Sequence, residues 1–229
     1  MINIIPVVEM PWIKEGECAP WPVTDVPGLQ WVPLEPSNLA CLGTFMLQLC
    51  YGMEVHSVDE AIEVIRASDE LGAYGGVQFT QQETVIGPSC CSGLEHCHEW
   101  LTFLRTGAAP WMGHEPSAWA EKVGTEIIIW SDGGSSSPRQ KLGPFIAAPI
   151  FEFDQALASA EQLLQKFLSD VPNWLAAVGR ADAQDIVPKI LDRFSMDPGV
   201  AEALRRDAEL DRDPSLEMTL DELRRGLGR

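Results

Sequence analysis

Basic residues are scarce in this chain of 229 residues: 16 lysines and arginines stand against 34 aspartates and glutamates, and the formal charge is −18. A phosphate backbone would be repelled by such a surface unless a local basic patch intervened. The densest basic pairs, Arg205-Arg206 and Arg224-Arg225, lie among acidic residues. The charge therefore argues against nucleic acids and anionic membranes as partners and favours a basic protein.

The chain also lacks a recognisable signal peptide and a long apolar run. Residues 1–6 contain no basic region, and prolines interrupt the next thirty residues. The longest uncharged stretch, residues 36–53, contains proline, several polar residues and two glycines, which indicates a buried helix and not a membrane span. Without a secretory signal, the six cysteines are expected to be reduced thiols. These features predict a cytoplasmic protein.

Well-known catalytic motifs are absent too. The sequence has no Gly-x-Ser-x-Gly nucleophile elbow, no His-Glu-x-x-His zinc-protease motif and no dinucleotide-binding glycine fingerprint. We therefore expect a protein that is not an enzyme and that carries no cofactor.

The first 36 residues are rich in proline and tryptophan. They hold seven of the seventeen prolines, which disfavour helix, together with Trp12, Trp21 and Trp31. We predict extended segments and turns that these tryptophans attach to a core, with an edge strand within residues 2–8.

The central part, residues 37–150, combines signals for helices and strands. Ser37 or Asn38 can cap an apolar helix that runs to about Tyr51, and Ser57-Val-Asp-Glu60 is a capping-box pattern before a second helix. Later patterns predict a short hairpin, a third helix and two further strands, over residues 78–86, 92–105, 126–130 and 145–153. The chain is thus predicted to be α+β, with a small, mostly antiparallel sheet and flanking helices.

The last part, residues 151–229, is predicted to be all helical. Asp154 is expected to cap a helix whose apolar stripe contains Leu157, Leu164 and Phe167. Further helices are predicted over residues 172–178, 183–195, 199–211 and 219–227. We divide the chain into an α+β body, residues 1–150, and this helical part, which packs on the body as one domain or stands apart.

Cysteine and histidine are concentrated between Gly87 and Trp100, with His114 a little beyond. Thiolate and imidazole are the ligands that zinc prefers. On one helix, however, His96 and His98 would point about 200° apart, and the spacing matches no common zinc finger. We therefore predict no metal, and the alternative is a zinc site built from Cys90, Cys91, His98 and His114.

The same residues allow a second alternative, a reactive thiol. Cys90 and Cys91 precede the predicted third helix, whose N-terminus would lower a thiol pKa. His98 or His114 could then act as the base. Either alternative describes a metal- or thiol-dependent hydrolase, whereas the simplest interpretation is a tight turn with thiols packed beneath it.

Two tryptophans, Trp111 and Trp119, flank the loop that carries His114. They are candidates for a partner-binding groove because tryptophan is enriched at interface hot spots. The alternative is that they cover an edge of the core.

The C-terminal thirty residues resemble the toxin-contacting tails of bacterial addiction-module antitoxins. They contain a charged helix pattern, an Asp213-Pro-Ser215 break and a capped Thr219-Leu-Asp-Glu-Leu223 segment. The central region, residues 86–134, is similar to uncharacterised bacterial proteins of immunity type. These resemblances imply an acidic protein-binding module that neutralises a basic toxin, and the tail would contact the partner through Leu216, Leu220, Leu223 and Leu227.

Overall fold

A computed structural model describes residues 1–13, 18–24, 28, 30–134 and 138–196. This part of the chain is α+β, as predicted, but its strands form two antiparallel sheets where one was expected. The strands are β1 Asn3–Glu9, β2 Trp31–Pro33, β3 Gly75–Gln81, β4 Thr84–Ile86, β5 Trp119–Val123, β6 Glu126–Asp132 and β7 Leu142–Pro149. The helices are α1 Leu39–Gln48, α2 Val58–Ala67, α3 Glu99–Thr106, α4 Ile150–Leu168, α5 Val171–Ala177 and α6 Ile186–Phe194, with a 3-10 helix at Leu94–His96.

The N-terminal strand β1 lies inside the first sheet, so its predicted edge position is wrong. The strand order is β2-β1-β3-β4, and each neighbouring pair is antiparallel. Pro6 is tolerated in this interior strand because it lies opposite Leu34, one residue beyond the end of β2. The Pro6 carbonyl accepts the Leu34 N–H over 2.9 Å, and the N–H that proline lacks is not needed by a residue of β2.

The predicted hairpin and the predicted strand over residues 126–130 are both confirmed. Strands β3 and β4 pair in register from Phe79↔Ile86 to Gln81↔Thr84, and β6 is the central strand of the second sheet, β5-β6-β7. The last predicted strand is too long, because β7 ends at Pro149 and α4 begins at the next residue. Asp154 consequently lies inside α4 and does not cap it.

Side-chain caps fix the starts of the first two helices where the sequence places them. The Asn38 carboxamide accepts the Cys41 N–H over 3.1 Å, and the Ser57 hydroxyl accepts the Glu60 N–H over 3.2 Å. The third helix begins later than predicted. A 3-10 turn covers Leu94–His96, and the α-helix starts only at Glu99.

Aromatic rings from distant parts of the chain meet in one core. Phe45 of α1 contacts Phe167 of α4 and Phe194 of α6 edge to face, with ring centroids 5.6 and 5.3 Å apart. Trp21 is buried against Trp174 and donates its indole N–H to the Gly43 carbonyl over 2.8 Å. The proline-rich segment is thus attached to the core by a tryptophan, as predicted.

The three N-terminal tryptophans do not share that role. Trp31 is half-buried in β2. Trp12 is 75% exposed, so the prediction that it pins the segment to the core is wrong.

The C-terminal part that the structure describes is made of α4, α5 and α6, and its buried residues belong to the same hydrophobic cluster as those of both sheets. Pro188 lies in the first turn of α6, where a missing N–H costs no helical hydrogen bond. The helices predicted over residues 199–211 and 219–227 lie outside the described residues. So do the proposed partner-binding residues Leu216, Leu220, Leu223 and Leu227.

Charged contacts join α6 to α2. Arg66 forms two hydrogen bonds with the Asp185 carboxylate, 2.6 and 2.9 Å long, and this guanidinium lowers the pKa of Asp185. The Lys189 ammonium donates to the carbonyls of Ile65 and Arg66 over 2.9 and 3.1 Å. These carbonyls belong to the last turn of α2, which lacks partners within its own helix, so α6 completes the end of α2.

Within the described ranges, no helix combines the length and the apolar character that crossing a bilayer requires.

The Phe45 cluster leads to a prediction about stability. Phe45→Ala should lower the free energy of unfolding by about 3–5 kcal/mol, because it empties a fully buried site between two other rings. Phe151→Ala is the matched control, since Phe151 is 63% exposed, and it should change stability by roughly 0.5 kcal/mol or less. Urea unfolding measures both values, and equal losses would contradict this assignment of the core.

Candidate functional site

Three of the four predicted metal ligands lie together on the surface. Each of Cys90, Cys91 and His114 offers one potential ligand atom, and these three atoms lie within 4.8 Å of one another. Cys90 Sγ is 3.9 Å from His114 Nδ1. Among the described residues this is the one cluster of three histidine, cysteine or acidic side chains with such spacing, and all three are exposed. We call it the Cys/His site.

Backbone hydrogen bonds hold the two loops of this site together. The Ser89 N–H donates to the Met112 carbonyl over 2.8 Å, and the His114 N–H donates to the Cys90 carbonyl over 3.1 Å. Gly113 lies between these bonds with φ of 101°, and a Cβ there would be 2.6 Å from the Cys90 carbonyl oxygen. Glycine is therefore required for the approach that brings the imidazole to the thiols.

The cysteine loop is also attached to the first sheet. The Gly75 N–H donates to the Ser92 carbonyl over 3.0 Å, and the Leu94 N–H donates to the Ala73 carbonyl over 2.8 Å. Next to these bonds, Cys91 adopts φ of 63°, in the left-handed region that non-glycine residues seldom occupy. Such conformations persist where surrounding contacts enforce them, and they are frequent at functional sites.

His98, the fourth predicted ligand, is not part of the site. Its Nδ1 lies 2.8 Å from the Glu95 carbonyl oxygen, at the start of α3. His96 is not part of it either, because its Nδ1 is 3.1 Å from a carboxylate oxygen of Glu99. The 3-10 turn directs both imidazoles to neighbours within their own segment.

The electrostatics of Cys91 do not favour a nucleophilic role. Desolvation, followed by the neighbouring Cys90 and the charge of Glu9, raises the pKa of Cys91 above its ordinary value. A reactive cysteine needs the opposite shift, because the thiolate is the nucleophile. A helix dipole does not assist either thiol, since a short 3-10 turn, and not the predicted α-helix, comes directly after the cysteines.

A disulfide between the two neighbouring cysteines does not fit the backbone. The peptide bond that joins Cys90 and Cys91 is trans, which sets their Cα atoms about 3.8 Å apart. Disulfides span roughly 4.4–6.8 Å between Cα atoms, so closure would distort the loop. All six cysteines are free thiols in the structure. The close approach of two thiols and an imidazole is therefore better suited to binding a metal ion than to forming a disulfide.

A cavity of about 560 Å³ adjoins the site, and Cys91 belongs to its wall. We call it the Cys91 cavity. The remaining lining residues come from the end of α1, the end of α2 and the segments around β3, and they include Gln48, Tyr51, Glu70, Tyr74 and Glu95. Desolvation, with smaller contributions from Cys91, Tyr51 and two glutamates, raises the pKa of Tyr74.

The sequence contained only an indirect signal for this cavity. Gly72 and Gly93 belong to the wall, and a Cβ at either position would contact the Glu95 carboxylate. In the sequence alone, both glycines resemble simple chain breaks.

The two tryptophans of the predicted groove have different surroundings. Trp111 contacts the His114 ring edge to face at 5.0 Å and donates its indole N–H to the Cys91 carbonyl over 3.2 Å. It is therefore part of the Cys/His site, although 38% of it is exposed. Trp119 lies on β5, opposite Trp130 of β6, on the outer face of the second sheet.

Comparisons with protein-family models, curated proteins and solved structures found no match for this chain. Its function must therefore be inferred from the residues and distances above.

The burial of the thiols predicts their labelling by a thiol reagent. In the folded protein, Cys18, Cys90 and Cys91 should react within minutes, because they are exposed. Burial raises the pKa of Cys41 to about 11 and that of Cys50 to about 12, and it also raises that of Cys97, so these three should react only after unfolding. Mass spectrometry after labelling identifies each site. Rapid native labelling of Cys97 would contradict the structure of this loop.

Proposed function

We propose that the protein binds a thiophilic divalent metal ion at Cys90, Cys91 and His114. The observation that carries this proposal is the separation of at most 4.8 Å among the three ligand atoms. Two thiolates, one imidazole and a fourth position open to water form a ligand set that zinc uses in catalytic sites. Zinc is therefore the ion that these residues fit best.

The surroundings of the Cys/His site support hydrolytic chemistry for such an ion. Zinc with three protein ligands lowers the pKa of a bound water to about 7 and polarises a substrate oxygen. The Cys91 cavity, whose wall includes one of the three ligands, would offer space for a substrate. Trp111, packed against the imidazole, restrains the orientation of His114.

Metal titration tests this proposal. We expect the full-length protein to bind one Co²⁺, and then one Zn²⁺ that displaces it, with the thiolate charge-transfer absorption of cobalt as the signal. Cys91→Ser and His114→Ala should each weaken zinc binding by more than the roughly 10–100-fold typical of substitutions outside the ligand set, because each removes a ligand.

The chain offers matched controls for that experiment. His98→Ala removes another exposed histidine, and Cys18→Ser removes another exposed thiol, so neither should change the affinity. Binding of much less than one ion per chain, or an equal loss in His98→Ala, would exclude the proposed site.

A second proposal, binding of a basic protein, is supported by an aromatic row on the second sheet. Trp119, Trp130 and Phe145 are directly paired across its three strands, and Phe145 is 51% exposed. The ring centroids of Trp130 and Phe145 are 4.8 Å apart, and the Lys141 Nζ lies 5.5 Å from the Trp130 ring centroid. A partly exposed aromatic row suits an interface hot spot, and the charge of −18 suits a basic partner.

In its sharpest form this second proposal is neutralisation of a basic bacterial toxin inside the cytoplasm. The C-terminal segment that the sequence predicts to be helical, with Leu216, Leu220, Leu223 and Leu227, would then add a second contact. The charge of the whole chain would accelerate association, and the aromatic row would slow dissociation.

Salt dependence and one substitution test the second proposal. With a partner recovered by the tagged full-length protein, the association rate should fall at least about tenfold between low and high salt. Phe145→Ala should weaken the complex by about 2 kcal/mol, and Phe151→Ala, a control at another exposed phenylalanine, should not. A partner that is acidic, or binding that does not respond to salt, would contradict this proposal.

A further inference from the structure

The wall of the Cys91 cavity offers negative charge and hydrogen-bond acceptors. Its described lining residues include two carboxylates, Glu70 and Glu95, two tyrosines and the Gln48 carboxamide, but no lysine, arginine or histidine. A ligand that enters this space meets acceptors and aromatic rings without a complementary cation in the wall.

Glu95 is the most enclosed of the charges. Only 13% of its side chain is exposed, and its Oε2 accepts the Ala73 N–H over 3.2 Å. The imidazole of His96 lies beside it, with Nε2 3.8 Å from Oε1, but His96 is not a lining residue. A carboxylate withdrawn from water is stabilised by a nearby positive charge.

Gln48 adds an acceptor that has no partner. Its Nε2 donates to the Glu9 carbonyl over 2.7 Å, and this bond fixes the orientation of the amide. Its Oε1 is buried and receives no hydrogen bond within the described part of the protein. Because this oxygen is closed to solvent, it adds polarity to the wall, whereas the contacts open to a ligand come from the carboxylates and the aromatic rings.

Two tyrosine rings complete the wall. Tyr51 and Tyr74 pack edge to face with their centroids 4.7 Å apart, and Tyr51 is 56% exposed. Aromatic faces attract ammonium and guanidinium groups through the ring quadrupole, and tyrosine does so together with carboxylates in sites for organic cations.

We propose that the Cys91 cavity binds a small organic cation. Its volume of about 560 Å³ lies in the range of small-molecule sites. Two basic residues of α6 reach the adjacent segment: Lys189 donates to main-chain carbonyls of residues 65, 66 and 68, and Arg193 donates to that of Leu71. Both are already bonded and neither lines the cavity. The cavity shares Cys91 with the Cys/His site, but cation binding there does not require a metal ion.

Three isosteric probes test the charge preference. Choline is the cation, 3,3-dimethylbutan-1-ol is its neutral analogue and 3,3-dimethylbutanoate is the anion. Calorimetric titration of the full-length protein at pH 8, with a chelator present, should show choline binding at least about tenfold more tightly than the alcohol, and no binding of the anion. Equal affinities for choline and the alcohol, or binding of the anion, would overturn the proposal.

Substitutions then locate the binding. Glu95→Gln keeps an acceptor for the Ala73 N–H but removes the charge, and Tyr51→Leu removes an exposed ring without touching the core. Each should lower the choline affinity by about tenfold, whereas Glu83→Gln, which changes the net charge equally at an exposed site away from the wall, should not. Unchanged affinity in both wall variants would overturn the proposal.

Two further arms separate this site from its neighbours. His114→Ala, which removes a ligand of the proposed metal site at a residue that does not line the cavity, should keep the preference for choline over the neutral alcohol, so failure of the two proposals can be distinguished. N-acetyl-lysine methylamide tests the source of the cation. If it binds more tightly than choline, the cation is a side chain of a partner protein; if it binds more weakly, the cation is a free small molecule.

Discussion

The close packing of Gly113 on the Ser89–Cys90 backbone is the contact on which the Cys/His site depends. A side chain at this position would lie 2.6 Å from the Cys90 carbonyl oxygen, and the backbone φ of 101° also favours glycine. Because the two loops meet backbone to backbone, His114 hydrogen-bonds to the Cys90 main chain while its ring faces the thiols. The hydrogen bonds between Ala73–Gly75 and Ser92–Leu94 then hold this pair of loops against β3. The site is thus positioned by main-chain bonds and not by the helix after it.

Local signals predicted much of the fold, whereas neighbours in space decided the rest. The caps at Asn38 and Ser57 and the apolar strand after Glu126 are determined by short-range chemistry, and the structure has them. The interior position of β1 is not local, because it depends on β2, and β2 lies some twenty residues further along the chain. The early start of α4 is also a tertiary effect. Pro149 remains paired with Glu126, and the chain turns directly into the helix that covers both sheets.

The Cys/His site shows the same division. The concentration of cysteine and histidine indicated the segment in which three of the four candidate ligands lie close together. His98, the fourth residue of the alternative site, lies outside the cluster, because a 3-10 turn precedes α3 and the His98 Nδ1 faces the Glu95 carbonyl oxygen. The Cys91 cavity could not be predicted, since its wall combines α1, α2 and the cysteine loop. Only their packing reveals that Gln48 and Glu95, forty-seven positions apart, line one space.

The acidity of the chain and the thiol ligands of the Cys/His site both favour the binding of positively charged species. Desolvation and the neighbouring Cys90 raise the pKa of Cys91, which disfavours its thiolate in the absence of a positive charge. A metal ion displaces the thiol protons, so its affinity should rise with pH until both thiols are ionised. An organic cation in the neighbouring cavity would offset the same negative field without displacing any proton. Phosphates and carboxylates meet the opposite situation, since no basic side chain lines the described wall to receive them. At the level of the sequence, the net charge argued against nucleic acids and anionic membranes and favoured a basic protein; at the level of this cavity, the carboxylates of the wall support the proposal of a positively charged ligand.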